Sequence, residues 1–240
     1  MAPGAPDWQR FAGIRVIGDV HGNAEPFAKL IAEARTRRLF VVQLGDLVDR
    51  GPDSVGALRL AFDLIDHGDG LFLRSNHDDK LRRALIGNPV RVGANLQVTL
   101  DALAAAPDSE GLRARLLAAL DAAPWWLQAG DYLMAHGGFH PLMLTTPGPE
   151  GIEPRSTASK CRSLALYGEM DPDGDKDGPP IRSYAWLDTV PAGVTVLIGH
   201  DVVAMDRIVE RRGALGGRVL FCDTGSGFGG PLSFVDLPTP

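Results

Sequence analysis

Apolar residues along the chain come in short runs that stop abruptly at polar ones. Residues 14–17 (IRVI) form a β-branched run, followed by a helical period that places Phe27, Leu30, Ile31 and Ala34 on one face. Residues 39–44 (LFVVQL) are a second run, ending at Gly45-Asp46. A helix is predicted from about Asp53, with Val55, Leu58, Phe62 and Ile65 inward and Asp53 as its N-cap. Residues 71–73 (LFL) predict a third strand, ending at Arg74-Ser75-Asn76-His77. Strand alternating with helix predicts a parallel sheet with crossover helices. Ligands of such sheets collect at the carboxyl ends of the strands, and all three polar clusters fall there.

Residues 78–122, rich in Leu, Ala and Arg, predict helices in a cap or insertion. Residues 132–135 (YLMA) predict a strand ending at His136-Gly137-Gly138. Residues 145–180, dense in Gly, Pro and Asp, predict a long surface excursion of a kind that is often functional. From Val194 strand follows strand: VTVLIGH, DRIVERR, GRVLFCD and LSFVDL predict a second, mainly antiparallel sheet, so two sheets pack with helices outside. With no internal repeat and no long linker, one domain over 1–240 is expected, with its helical insertion at about 78–123.

Composition narrows the class without naming a chemistry. A chain of 240 residues can bury a full core, and 45% hydrophobic with 22% charged residues is ordinary for a soluble globular protein. The net charge of −6 argues against general nucleic-acid binding but leaves room for a local basic pocket. Cys161 and Cys222 form no CxxC pair or disulfide framework, as suits a reducing cytosol. No apolar run approaches the ~18 residues that span a membrane. The opening MAPGAPDWQR lacks the basic-then-apolar pattern of a signal peptide. A cytoplasmic protein with no membrane partner is expected.

The stretch VIGDVHGNAEPF sets Asp19 and His21 one residue apart where a strand ends. Gly, Asp and Asn are ordinary turn residues, so this pair alone says little. Asp46 could cap a helix, Asn76 could sit in a turn, and His136 or His200 could be core histidines. Five successive strands ending in an oxygen or nitrogen ligand are harder to produce by turn chemistry. Two carboxylates, one amide oxygen and three imidazoles suit two divalent transition metals. Such a pair, ~3.5–4 Å apart, can hold a hydroxide and clamp a phosphoryl group.

The segments GDVHG, GDLVDRG, SNHDD, AHGG and GHD resemble, in order and spacing, the signature of calcineurin-like metallophosphoesterases, from about Ile14 to the C-terminus. Within that superfamily the chain looks closest to the phosphoprotein phosphatase branch. NHDDKLRRALIG, LALYGE, RSYAWLD and CDTGSGFGGPLS resemble the phosphatase module of bacterial polynucleotide kinase-phosphatases. Bacterial symmetrical dinucleoside tetraphosphatase is a related likeness. No GxxxxGK[ST] phosphate loop is present, so no attached kinase domain is expected.

The resemblance implies an α/β fold of two packed mixed β-sheets flanked by helices, with a small helical insertion. It also implies roles residue by residue. Asp19 and His21 would bind one metal, Asp46 both, and Asn76, His136 and His200 the second. Arg50 matches a phosphate contact, and a guanidinium can grip two oxygens at once. Arg74 matches a second such contact and Asn76 faces the same group. His77 matches the proton donor to the leaving oxygen, with Asp49 holding its ring. Asp223 matches an acidic residue that orients a ligand histidine from behind. Arg182 could reach the phosphate, although a surface place is expected for it, and His67 and His140 have no matched role. Three positions depart from the pattern. Ser75 stands for a glycine and restricts positive φ, Gly137-Gly138 for Ala-Gly or Pro-Gly, and Asp201 for a threonine, which adds negative charge.

The implied reaction is one-step hydrolysis by a hydroxide held between two metals, Mn first, with Fe or Zn as alternatives. Phosphomonoesters (phosphopeptides or nucleotides) are expected as main substrates, with symmetrical bis(5'-nucleosyl)-tetraphosphatase activity as the alternative. A tetraphosphate would ask for extra cations and aromatic surfaces, for which Arg82, Arg83, Arg91, Tyr167, Tyr184 and Trp186 are candidates, while the run at 171–177 (DPDGDKD) would oppose it. A non-catalytic phospho-ligand binding protein and a hydrolase of carbon centres are the rivals from other classes. The intact ligand set with His77 counts against the first, and Arg50 against the second.

Overall fold

A computed structural model describes residues 6–146, 157–171 and 181–240. In chain order these give β1 (Gly13–Ile17), α1 (Ala24–Thr36), β2 (Leu39–Gln43), α2 (Ser54–His67), β3 (Gly70–Phe72), α3 (Asn76–Leu85), α4 (Ala94–Ala105), α5 (Ser109–Ala122), β4 (Trp126–Ala129) and β5 (Tyr132–Ala135). There follow α6 (Thr157–Tyr167), β6 (Glu169–Met170), β7 (Arg182–Ser183), β8 (Thr195–Ile198), β9 (Val209–Arg212), β10 (Arg218–Phe221) and β11 (Phe234–Leu237).

The first sheet has the order β11-β1-β2-β3, and the second β4-β5-β8-β10-β9. β1, β2 and β3 pair in parallel, as the strand–helix alternation predicts. Each helix is bounded by local chemistry. Asp53 caps α2 by accepting from the Gly56 amide at 2.7 Å, and Gly68 closes it at φ 64°. Ser75 caps α3. Ile65 departs from the expected inward face and is 40% exposed. Ala57, Leu58, Ala61, Phe62 and Leu64 face the core instead.

Three apolar layers result. Ile14, Val16, Phe40 and Val42 of the first sheet meet Met134, Leu197 and Leu220 of the second between the sheets. α1 and α2 cover the outer face of the first sheet, and Leu96, Leu103, Leu112 and Leu116 of α4 and α5 join that same layer. The outer face of the second sheet packs on Cys161 and Ala165 of α6 and on Trp186. This is the expected α/β sandwich of two mixed sheets with helices outside.

Three expectations about the second half change. The second sheet is mixed, not mainly antiparallel, because β5, β8 and β10 run parallel. The last strand crosses back to lie antiparallel to β1, where Asp236 stands opposite Arg15. That arginine is fully buried, bonds both oxygens of Asp236 at 2.8 and 2.9 Å and donates to the Leu30 carbonyl at 3.1 Å. A lone arginine in one strand therefore selects the lone aspartate of another. Third, the span 145–180 is not loop throughout, since α6 and β6 lie within it and β6 pairs with β7 just beyond it. All but the first residue of the 171–177 run lies outside the described residues.

Candidate metal centre

The carboxyl ends of β1, β2, β3, β5 and β8 converge on one cluster. Asp19, His21, Asp46, Asp49 and His136 are buried there. His21 Nε2 lies 3.5 Å from Asp46 Oδ2 and 4.0 Å from Asp19 Oδ2. His136 Nε2 lies 3.5 Å from Asp46 Oδ1 and 2.8 Å from Asn76 Oδ1, with His200 Nδ1 at 3.2 Å from both Asn76 Oδ1 and His136 Nε2. Donor atoms of His21, Asp46 and His77 lie within 4.8 Å of one another, and so do those of Asp46, His136 and His200. Asp46 is common to both groups.

Strained backbone aims these side chains. Of the six non-glycine residues with positive φ among the described residues, five are His21 (46°), Asp46 (56°), Asp49 (72°), Arg50 (68°) and His200 (65°). Left-handed backbone is costly for such residues and persists where surrounding contacts impose it. One such contact is the pair of bonds from the His200 amide to the Asp19 carboxylate at 3.1 Å. A side chain at Gly199 would sit 2.0 Å from Asp19 Oδ1, so that approach requires glycine. Gly137 likewise receives the end of α6, for a Cβ there would meet the Gly168 nitrogen at 2.5 Å.

The donor set fits cations. His21 Nδ1–H donates to the Val48 carbonyl at 2.9 Å and His136 Nδ1–H to the Leu44 carbonyl at 3.0 Å. A carbonyl only accepts, so both rings keep a bare Nε2 lone pair turned inward. His136 Nε2 and Asn76 Oδ1 are then two acceptors facing each other, an arrangement that a shared cation makes favourable. Burial pushes the His21 imidazole down to about 4 and, helped by His136, the His200 imidazole to about 3. Burial lowers His136 as well. The rings are thus neutral, the state a metal ligand needs. Burial, with Asp223 and Asp46 nearby, raises the Asp19 carboxyl far above its ordinary value. Burial also works against the Asp46 carboxylate, which stays ionised only with positive charge beside it, on the imidazoles around it, His136 foremost, or on a cation where those rings are neutral. Two carboxylates crowded in this way would be relieved by divalent cations. Asp19, His21 and Asp46 could hold one, and Asp46, Asn76, His136 and His200 another.

Around the cluster, His77 Nδ1 lies 2.6 Å from Asp49 Oδ2. Burial alone would lower its pKa, but Asp49 and Asp46 outweigh that and raise it. Arg50 Nη1 points at His21 Nε2 at 2.8 Å and Nη2 at His77 Nε2 at 3.3 Å. Ser75 lies in extended backbone at φ −134°, so its missing glycine costs nothing. Its hydroxyl accepts from the Asp46 amide at 2.7 Å and donates to Asp78 at 2.8 Å.

Five side chains lie elsewhere than expected. Arg74 turns away from the cluster and donates through Nε to the Leu120 carbonyl at 3.0 Å, its guanidinium over Trp125. Asp223 faces Asp19 and the Gly225 amide, not a ligand histidine. Trp186 is core, and Arg82 is bonded to Asp121 at 2.6 Å. Arg182, expected at the surface, reaches His200 Nε2 and pairs with Asp201 at 3.0 Å. The charge that Asp201 adds is therefore answered locally. Sequence reasoning missed Thr99 and Phe228. Thr99 shares a helical face with Leu96 and Leu103, and a polar residue in that stripe was the available signal. Phe228, 62% exposed, lies beneath the Arg50 guanidinium at 4.4 Å.

The model of the calcineurin-like phosphoesterase family matches residues 13–216, and the chain belongs to that family. It is therefore a metal-dependent phosphoric ester hydrolase. It is 27% identical over 241 residues to the bis(5'-nucleosyl)-tetraphosphatase PrpE [asymmetrical] of Geobacillus sp. (strain WCH70), covering 94% of this chain and 90% of that one. The protein of the same name from Bacillus subtilis (strain 168) is 26% identical over 237 residues, covering 93% and 90%. Among solved structures, a protein proposed to be a diadenosine tetraphosphatase superposes with TM-score 0.59 at 20% identity, covering 98% of this chain and 96% of that one. A Saccharomyces cerevisiae serine/threonine phosphatase similar to human PP5 gives 0.58 at 15% identity, covering 98% and 82%. Among the described residues no helix is long and apolar enough to cross a membrane.

Proposed function

We propose that this site cleaves phosphate chains that carry nucleosides, dinucleoside tetraphosphates first among them, and phosphomonoesters second. The observation that carries the reading is the pair of arginines closing on the ligand cluster from opposite sheets, Arg50 on His21 and Arg182 on His200. A polyanion asks for that grip. Phe228 adds an exposed ring beside Arg50, suited to a planar base. A nucleoside stacked there lies close to the phosphoryl group that Arg50 holds, near the end of the phosphate chain, not its middle. That supports cleavage to AMP and ATP, in line with the names of the relatives, over the symmetrical products that the sequence offered as an alternative.

Two divalent cations in the cluster, Mn by preference, would acidify a water and offset charge on the phosphoryl oxygens. The chain's own residues supply the rest. Arg50 and Arg182 hold phosphate oxygens, and Asn76 lies beside them on the cluster. His77, its ring held through Nδ1 by Asp49 and its pKa raised by Asp49 and Asp46, would give an Nε2 proton to the departing oxygen once Arg50 turns to the phosphate. An acid matters most for a poor leaving group, so the dyad supports the second reading, hydrolysis of alkyl phosphates such as phosphoserine.

The test compares kcat/KM for diadenosine tetraphosphate, nucleoside monophosphate and phosphopeptide after metal stripping and reconstitution. Turnover is expected only with added metal, better with Mn than Mg, fastest on the tetraphosphate, with AMP and ATP as products. Two ADP molecules would restore the symmetrical assignment. A phosphopeptide preferred more than tenfold, ~1.4 kcal/mol, would make the second reading the first.

A further inference from the structure

Thr99 stands on α4, away from every strand end that feeds the cluster, and is 1% exposed. Its Oγ1 lies 2.7 Å from Asp49 Oδ1 and 3.3 Å from Ser54 Oγ. Ser54 Oγ in turn lies 3.0 Å from the Asp49 amide. The direction of each bond is fixed, because an amide must donate and a carboxylate must accept. Asp49 N–H donates to Ser54, Ser54 O–H to Thr99, and Thr99 O–H to Asp49 Oδ1. A ring closes through one residue, and it occupies Oδ1 so that Oδ2 is left for His77 Nδ1.

The competing acceptor for the Thr99 proton is the Asn95 carbonyl one helical turn back, at 3.3 Å. It is neutral and farther away, so the ionised oxygen at 2.7 Å wins. If packing alone mattered at this position, valine would serve as well as threonine. The hydroxyl points to a second task.

We infer that Thr99 is a positioning residue: through Asp49 it sets the tautomer and direction of the His77 imidazole, and so couples the helical segment to proton delivery. The inference rests on the phosphoesterase reading with His77 as proton donor. Without the Thr99 hydroxyl, Asp49 Oδ1 is buried with no donor, and the carboxylate can rotate away from Nδ1. The Nε2–H vector then wanders from the leaving oxygen.

The test uses the full chain loaded with Mn, an alkyl phosphomonoester and nitrophenyl phosphate. Thr99→Val should lower kcat/KM on the alkyl ester about tenfold, ~1.4 kcal/mol, and leave nitrophenyl phosphate within about twofold. Thr99→Ser should restore the alkyl rate, and Thr99→Val added to His77→Ala should cost nothing more. Ser54→Ala, which breaks the ring one link upstream, should give a smaller loss of the same selectivity and serves if Thr99→Val does not fold. A second readout needs no turnover. In the metal-free chain, the downfield proton resonance that His77→Ala removes should move upfield or broaden in Thr99→Val and stay in Thr99→Ser. Equal losses on both esters, or a resonance that Thr99→Val leaves in place, would overturn the inference. An intact shift pattern with no phosphoester turnover at all would instead count against the functional reading.

Discussion

The two sheets contribute to the cluster in different ways. The first brings the ends of β1, β2 and β3, and with them both ligand carboxylates, the His77–Asp49 pair and Arg50. The second brings the ends of β5 and β8, which carry His136 and His200. Their arginines differ too. Arg50 faces two imidazoles and a phenyl ring, with no ion pair to a carboxylate among the described residues. Arg182 is paired with Asp201 at 3.0 Å. One arginine keeps its whole charge for a substrate, and the other has half committed it. On the proposed function, the first-sheet side would take the reacting phosphoryl group, and the second-sheet side a more distant part of a polyanion.

The largest effect should come where the two halves meet. Asp46 bonds the His77 amide at 3.1 Å and lies 3.5 Å from both His21 and His136. Asp46→Asn should cost about 10²–10⁴-fold in kcat on every substrate, since it removes several kcal/mol of charge stabilisation from both cation positions. Bound metal should fall as well, measured by elemental analysis after desalting. A variant that loses activity on one substrate alone would break the view of Asp46 as common to both halves.

The next prediction sets the arginines against each other. Arg50→Ala should lower kcat/KM about 10²-fold and Arg182→Ala about tenfold, within the ~1.5–3 kcal/mol of a charged hydrogen bond. For Arg50 the loss should fall mainly on kcat, and for Arg182 on KM. Asp201→Asn should free Arg182 and lower KM for the tetraphosphate about threefold, ~0.6 kcal/mol, the scale of a part-exposed ion pair. If Arg182→Ala damages kcat as severely as Arg50→Ala, the two sides are equivalent and the contrast fails.

This contrast also marks what the sequence made legible. The residues of the first-sheet side sit within a few positions of strand ends, so local pattern and motif order place them together. Strands 132–135 and 14–17 and the Asp53 cap were readable for the same reason: short-range chemistry decides them. Arg182 was expected at the surface, because what brings it in is Asp201, nineteen positions away in another segment. The return of β11 to the first sheet hid equally well, since its determinant is Arg15, far off in the chain. Ser75 looked like a strained glycine replacement because only the fold shows that no positive φ is required there. Pairwise contacts across the fold, not local propensity, fixed each of these.

Arg74 is the smallest expected effect and the sharpest check on that boundary. It lies on the first-sheet side, two residues before Asn76, and motif position alone would set it on the phosphate. Yet it is 7% exposed and its donors go to the Leu120 carbonyl near the end of α5, one of the last carbonyls a helix leaves unpaired. A cation there also complements the helix dipole. Trp125 lies under its guanidinium at 4.5 Å, with Arg162 over the same ring at 3.9 Å. Burial lowers its pKa, against the opposing pull of Asp79 and of Asp121, whose carboxylate lies 3.6 Å from Nη2. Arg74→Met keeps the volume and removes the donors. The expected cost is about 1.5–3 kcal/mol of stability, or roughly 3–12 °C in Tm for a chain of this size, while kcat/KM stays within about twofold, ~0.4 kcal/mol. Thermal unfolding and steady-state kinetics on the same preparation decide it. A tenfold loss of kcat/KM at unchanged Tm would mean that Arg74 swings to the substrate after all, and the first-sheet side would then hold two phosphate arginines against one.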